Sequence, residues 1–298
     1  MKSKLISNMK FGEIIFDLIK WILLVLFVLA TIYPIINTLA VSLNEGADAL
    51  KGGIFLLPRK FTLENYFLVF KNKNLVQASF ITVSRTVIAT VLQLFLTAML
   101  SYVLCRKGFI FRKFVTILYV LTMYVNAGLI PNFLLMKYLG LTNNFWVYII
   151  PGMISAFNMI VIRTFMNGLP DSLAESAKVD GAGEFNIFIN IILPLCKPVL
   201  ATVALFIAVY QWNSWFDTML YNSFDNSLTT LQYELMKLLS AVTNQGASAE
   251  AMKNSGNMVT PATIRAAATI ITAFPIVCLY PFLQRYFVAG LTIGGVKE

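Results

Sequence analysis

Histidine is absent from all 298 residues. That removes imidazole acid–base catalysis, His-ligated metals and histidine pH switches together. Cysteine is scarce: Cys105, Cys196 and Cys278 lie in or beside apolar runs, at spacings that match no metal or redox motif. They read as small buried hydrophobes. Charge is short as well. Only 12% of residues are charged and 58% are hydrophobic, whereas a soluble domain carries roughly 25% charged residues. A core of this size cannot hide so much apolar surface, so the expected solvent is the bilayer. The formal charge of +9 gathers into no dense basic face, which argues against nucleic acid as a partner. There is no GxxxxGK[ST] stretch. "GAGEFN" (181–186) lacks the third glycine of a dinucleotide loop and follows no strand.

What the chain has is six uncharged runs long enough to cross about 30 Å of hydrocarbon: Trp21–Ala40, Thr86–Cys105, Phe114–Met136, Phe145–Ile162, Pro198–Phe216 and Ala266–Leu283. The first is too long for the apolar core of a signal peptide. Pro34, Pro131, Pro151 and Pro275 fall inside four of the runs, either as packing kinks or as bends around a cavity. The expected fold is an all-α integral membrane protein with six transmembrane helices. Lys2, Lys4 and Lys10 precede the first run, and Arg106, Lys107, Arg112 and Lys113 crowd one short loop. By the positive-inside rule both termini face the cytoplasm. The organisation read from this is a cytoplasmic segment 1–20 and a six-helix domain 21–290 with outer loops 43–79 and 217–265. An inner loop 163–197 and a cytoplasmic tail 291–298 complete it.

The inner loop is the longest on its side and carries the chemistry. "SLAE" (172–175) fits a capping box, with Ser172 as cap and Glu175 reaching back. A short helix over Leu173–Asp180 would stop at Gly181. A second would start near Glu184, with Phe185, Phe188, Ile189 and Ile192 on one face, until Pro194 and Pro198 break or kink it. Two short helices joined at a glycine are either a loop packed on headgroups or a knob that inserts into another protein.

At these residues the sequence resembles a signature of ABC-importer membrane subunits: Glu-Ala-Ala, three residues, Gly, nine residues, Ile, one residue, Leu-Pro. Here it reads Glu175-Ser176-Ala177, then Gly181, Ile191 and Leu193-Pro194, with Ser176 the one departure. "LPRKFTLENYFLVF" (57–70) and "QRYFVAGLTIGGVKE" (284–298) are similar to segments of maltose-type sugar permeases, and the long outer segment resembles permeases for polysaccharide fragments. The resemblance implies the type I ABC importer permease fold in a bacterial cytoplasmic membrane. It implies pairing with a second, non-identical permease, two cytoplasmic ATPase subunits that use ATP and Mg, and an extracytoplasmic sugar-binding lipoprotein that delivers an oligosaccharide. No cofactor would be bound by this chain. Glu175 would anchor the knob in an ATPase cleft, with Ser176, Ala177 and Asp180 beside it. Ala177 would pack closely there, and Gly181 would set the bend. Ile191, Leu193 and Pro194 would tie the second helix to the fifth span. Residues Gly294–Glu298 would approach the ATPase interface.

"YQWNSWFDTMLY" (210–221) offers stacking faces and hydrogen-bonding groups for a sugar: Gln211, Trp212, Trp215, Asp217 and Tyr221. The alternative is an interfacial aromatic belt. Arg85 is a candidate ion-pair partner for Asp217, and Gln93 and Asn126 either line a pore or pack between helices. "SLTTLQYELMKLL" (227–239) reads as an outer helix with Leu228, Leu231, Leu235 and Leu238 on its apolar face and the receptor on the other. Two rivals, a self-contained secondary transporter or channel and a membrane enzyme, need mid-span ionisable groups or clustered acids and bases. The six runs supply neither.

Overall fold

The structure, a computed structural model, describes residues 11–243 and 259–295. Lys2, Lys4, Lys10, residues 244–258 of the outer segment and the last three residues of the tail lie outside them. The described residues form helices and turns, with one isolated antiparallel bridge between Asn44 and Phe61. The chain divides into two units, Met1–Lys71 with Leu238–Ile271 and Asn72–Lys237 with Thr272–Glu298.

In the first unit, α1 (Phe11–Ser42) absorbs the first apolar run and keeps Pro34 within one helix. Leu23 and Phe27 are 61% and 68% exposed, as side chains facing lipid or a second chain would be. Beyond it, α2 (Gly46–Ala49) and α3 (Glu64–Lys71) are held by a buried polar knot. The Asn44 side-chain oxygen accepts the backbone N–H groups of Arg59 (2.8 Å) and Lys60 (2.9 Å). Arg59 Nε donates to Asp48 Oδ2 at 2.9 Å. Asn65 Nδ2 bonds the carbonyls of Ser42 and Asn44. At Gly46 a Cβ would lie 2.6 Å from the Thr260 nitrogen, so only glycine fits.

The second unit is built on α4 (Lys73–Cys105), 33 residues capped by the Asn72 side chain. Ala78, Thr82, Ala89, Thr97, Ala98 and Ser101 are buried along it, small residues that let neighbouring helices come close. α7 (Ala156–Met166) and α10 (Lys197–Asn213) pack on it and on each other. α10 buries Val199, Val203, Ile207 and Gln211 at every fourth position, and Ser101 Oγ donates to the Met159 carbonyl at 3.0 Å. The helix read at 227–239 starts later. Leu228 ends a 3-10 turn (Asn226–Leu228), and the regular helix runs Leu231–Thr243 with Leu231 and Leu235 buried. Its first N–H, on Leu231, is taken by Thr82 Oγ1 of α4 at 2.8 Å.

Among the described residues, three helices are long and apolar enough to cross a membrane: Ile15–Ser42, Lys73–Cys105 and Pro261–Cys278. The segment Glu184–Leu195 and α10 pass that test together, bent by 84°. The third and fourth runs are not the continuous helices expected. The third breaks into α5 (Arg112–Tyr124) and α6 (Leu129–Tyr138), with Gly128 between them at φ +90°. That conformation belongs to glycine, and Pro131 falls in the first turn of α6, where its missing N–H costs least. The fourth holds a 3-10 turn, Phe145–Tyr148, then irregular chain through Pro151-Gly152 before α7. Pro151 has no N–H to donate and biases Ile150 away from helix. In hydrocarbon, such backbone survives only where protein or a cavity receives its polar groups.

Candidate functional site

The inner loop folds as two short helices, built differently in detail from the sequence reading. α8 spans Ser172–Val179 with Asp171 at its cap, and no side chain caps it. The capping box does not form because Asp171 is already helical at φ −58°, ψ −31°, and its carbonyl receives the N–H groups of Ala174 and Glu175. The Asp171 carboxylate instead takes Lys107 Nζ at 2.7 Å. That contact holds the Asp171 carboxyl below its usual range and the Lys107 ammonium above its own. The end of α8 follows the Schellman pattern. Gly181 has φ +81°, its N–H reaches the Lys178 carbonyl at 3.0 Å, and the Ala182 N–H reaches the Ala177 carbonyl at 2.9 Å.

Glu175, Ser176, Val179 and Asp180 face outward, and Val179 is 88% exposed. Ala174 and Ala177 face inward and are buried. Ala177 packs closely within the chain's own core. The next segment, α9 (Glu184–Leu195), carries a π turn at Phe188–Ile192, where the Leu193 N–H reaches back to the Phe188 carbonyl. Pro194 accounts for it, having no N–H for the carbonyl four residues back and a ring that crowds it. The wider turn rotates the apolar face. Ile187, Phe188 and Ile192 are buried, Ile189 packs partly, and Phe185 turns outward at 63% exposure. Ile191 and Leu193 pack against the same core, while Pro194 is exposed. That core joins α8 and α9 to Ala98 and Tyr102 of α4, Ile162 and Met166 of α7, and Val199 and Val203 of α10.

A polar cluster not found from the sequence locks the two short helices to α4. Glu184 accepts the Lys178 ammonium and, at 2.6 Å, the Tyr102 hydroxyl. Arg106 Nε lies 3.4 Å from the same carboxylate, and its guanidinium stacks 4.2 Å from the Tyr102 ring centre and bonds the hydroxyl. The Lys178 bond first, then Tyr102, holds the Glu184 carboxyl below the usual range. A one-dimensional pattern gives no hint that positions 102, 106, 178 and 184 converge.

The second candidate is a cavity of about 600 Å³ lined by Arg85, the broken-span residues Asn126, Gly128, Pro151 and Gly152, and Gln211, Asp217 and Tyr221. Arg85 is 1% exposed. It holds both Asp217 oxygens (2.5 and 3.2 Å), donates to Gln211 Oε1 (2.7 and 3.1 Å) and stacks 4.2 Å over Tyr148. Of the five residues read as a sugar path, Gln211, Asp217 and Tyr221 line the cavity. Trp212 and Trp215 do not. Trp212 Nε1 bonds the Thr272 carbonyl at 2.9 Å, and Trp215 stacks edge-on with Phe216. Gln93 donates to the Ile149 carbonyl at 3.4 Å, a contact from α4 to the irregular chain after the 3-10 turn. Among the described residues no group of three His, Cys, Asp or Glu could hold a metal ion.

Residues 93–293 match the family model described as the binding-protein-dependent transport system inner membrane component. The polygalacturonan/rhamnogalacturonan transport system permease protein YtcP of Bacillus subtilis is 33% identical, covering 95% of this chain and 98% of its own. The arabinooligosaccharides permease AraQ of Halalkalibacterium halodurans is 30% identical over 89% and 91%. A crystal structure of a bacterial ABC transporter that imports the acidic polysaccharide alginate superposes with a TM-score of 0.86 at 29% identity, covering 94% of this chain and 99% of that one. The helical architecture, the broken spans around a cavity and these matches agree: the chain belongs to the family of inner-membrane components of binding-protein-dependent transport systems.

Proposed function

We propose that this chain is the permease component of an oligosaccharide ABC importer. Its ATP-driven partner would seize α8 and α9, and its sugar would pass by the Arg85–Asp217 cavity. The observation that carries the coupling role is the single core joining α8 and α9 to α4, α7 and α10. A push on the exposed Glu175–Val179 face cannot be absorbed by a loose loop, because Phe188, Ile192 and the Glu184 cluster tie that face to three helices. The sugar class rests on the relatives, whose names speak of polygalacturonan, rhamnogalacturonan, arabinooligosaccharides and alginate. The amide and tyrosine groups around the cavity suit hydroxyl-rich ligands.

In this reading both termini and the loop 163–197 face the cytoplasm. A second, non-identical permease completes the path, two ATPase subunits bind and hydrolyse Mg-ATP, and an extracytoplasmic lipoprotein delivers the sugar. Glu175, Ser176, Asp180 and the exposed Val179 meet the ATPase. Ile191, Leu193 and Pro194 pass the motion to α10. The test is reconstitution in proteoliposomes with the second permease, the ATPases and the binding lipoprotein, loading ATP inside and an oligogalacturonide or arabino-oligosaccharide outside. Uptake that needs ATP and is lost in Glu175→Lys is expected. Uptake by this chain alone, driven by an ion gradient, overturns the reading in favour of a secondary transporter.

A further inference from the structure

The turn between Cys105 at the end of α4 and Arg112 at the start of α5 lies where two apolar stretches stop. It carries Arg106, Lys107, Arg112 and Lys113. Arg106 is engaged by Glu184 and Tyr102, and Lys107 by Asp171. Arg112 is half-buried, and among the described residues its guanidinium has no hydrogen bond or ion pair. From α7, Arg163 donates through Nη1 to Thr116 of α5 at 2.8 Å, while its Nε is buried with no partner. Thr116 Oγ1 in turn donates to the Arg112 carbonyl at 2.6 Å, so Thr116 links Arg163 to the first turn of α5, where Arg112 lies. Three guanidinium groups have been gathered, and two still have donors to give.

Beside them is a cavity of about 280 Å³ with Arg106, Lys107, Arg112 and Asn167 in its wall. Its one lining carboxylate, Asp171, is already spent on Lys107. The chain on either side of Arg112 is apolar and open: Ile110 is 91% exposed, Phe111 62% and Phe114 65%. Unpaired guanidinium donors want a bidentate oxyanion. An oxyanion bordered by exposed isoleucine and phenylalanine at the end of apolar spans has the form of a phospholipid, with its phosphodiester in the basic recess and its acyl chains along these apolar side chains.

We propose that this recess is a binding site for one anionic phospholipid, whose phosphate is held by Arg112 with help from Arg163 and whose chains lie on Ile110, Phe111 and Phe114. The site goes beyond the transport reading and needs neither the coupling role nor the sugar class to hold. It would fix the α4–α5 turn, and with it Lys107–Asp171, against the headgroup layer.

The test uses the whole importer complex in nanodiscs of phosphatidylglycerol or phosphatidylcholine, with lipid retained after partial delipidation counted by native mass spectrometry. Wild type should keep phosphatidylglycerol in preference to phosphatidylcholine. Arg112→Gln should weaken that retention about five- to tenfold, the scale of one charge at an anionic surface. Lys113→Gln, an exposed neighbour, should change it less than about twofold. Arg163→Lys should retain more lipid than Arg163→Gln, which separates loss of the contact from loss of the fold. Equal retention of both lipids, or equal losses in Arg112→Gln and Lys113→Gln, overturns the site. Protection of Arg112 from phenylglyoxal by inorganic phosphate as strong as by phosphatidylglycerol overturns it in favour of a free anion. A rise in bound phosphatidylglycerol when the ATPases are stripped away overturns it in favour of an acidic protein partner.

Discussion

Asp217→Asn tests whether the cavity is held by a buried ion pair or whether its carboxylate is free for a ligand. Arg85 is 1% exposed, and Asp217 supplies both oxygens of its fork while Gln211 and the Tyr148 ring take the remainder. Removing one partner from a buried pair costs about 3–5 kcal/mol, mostly through the charge left behind. The Asp217 side chain is 22% exposed and Gln211 stays in place, so about 2–3 kcal/mol is expected here. Unfolding by sodium dodecyl sulfate in mixed micelles reads this directly. Cys196, 0% exposed, serves as the thiol reporter in a Cys105→Ser, Cys278→Ser background. The pair Arg85→Met with Asp217→Leu removes both charges and should recover most of the loss, for a coupling energy of about 2 kcal/mol. A wild-type unfolding midpoint in Asp217→Asn, with sugar uptake abolished, would refute the reasoning. The carboxylate would then be a ligand contact and not a strut between α4 and the chain beyond α10.

Gly181→Ala has open space around its Cβ but must adopt φ +81°. It should lower stability by about 1–2 kcal/mol and slow ATP-driven uptake, and Gly181→Val should do both more severely. Thr82→Val leaves the Leu231 N–H buried and unmet, for a loss of about 1–3 kcal/mol in the same unfolding assay. Glu184→Gln weakens the acceptor shared by Lys178, Tyr102 and Arg106, so ATP hydrolysis should persist with less sugar moved per ATP. The Lys107–Asp171 contact depresses one group and raises the other. Its contribution is present above the ordinary carboxylate value and below the ordinary lysine value, so a spin-label distance between Gly108→Cys and Leu173→Cys should stay flat from about pH 5 to about pH 9. It should widen only as pH falls through the depressed Asp171 value or rises through the raised Lys107 value.

What could be read in the sequence was whatever repeats along one chain. The long uncharged runs at 21–40 and 86–105 became α1 and α4, because apolar length alone decides a span. Gly181 was legible since the stop of a short helix needs a residue that tolerates positive φ. The Arg85–Asp217 pair was approachable because two opposite charges stood at the edges of uncharged runs. The failures have a common cause. The cap position falling on Asp171 in place of Ser172 and the rotated face of α9 depend on partners far along the chain: Lys107, Tyr102 and the core of α4 and α10. The breaks at Gly128 and Pro151 were visible as residues, but hydropathy over twenty positions averages them away. Trp212 looked like a sugar platform by type, whereas its indole N–H is given to the Thr272 carbonyl and it does not line the cavity.

The π turn at Phe188–Ile192 has a consequence for length. An ordinary helix turns its face about 100° for each residue added or removed. In α9 one surplus residue is already stored in that turn, and it is what brings Ile187 and Phe188 to the core and leaves Phe185 outside. The stretch from Glu184 to Cys196 is therefore counted as well as spelled. A side-chain exchange there alters one contact; a single deletion within Phe188–Ile192 can be absorbed by closing the turn to an ordinary α turn, whereas an insertion finds no such store and spins the knob and α10 out of phase.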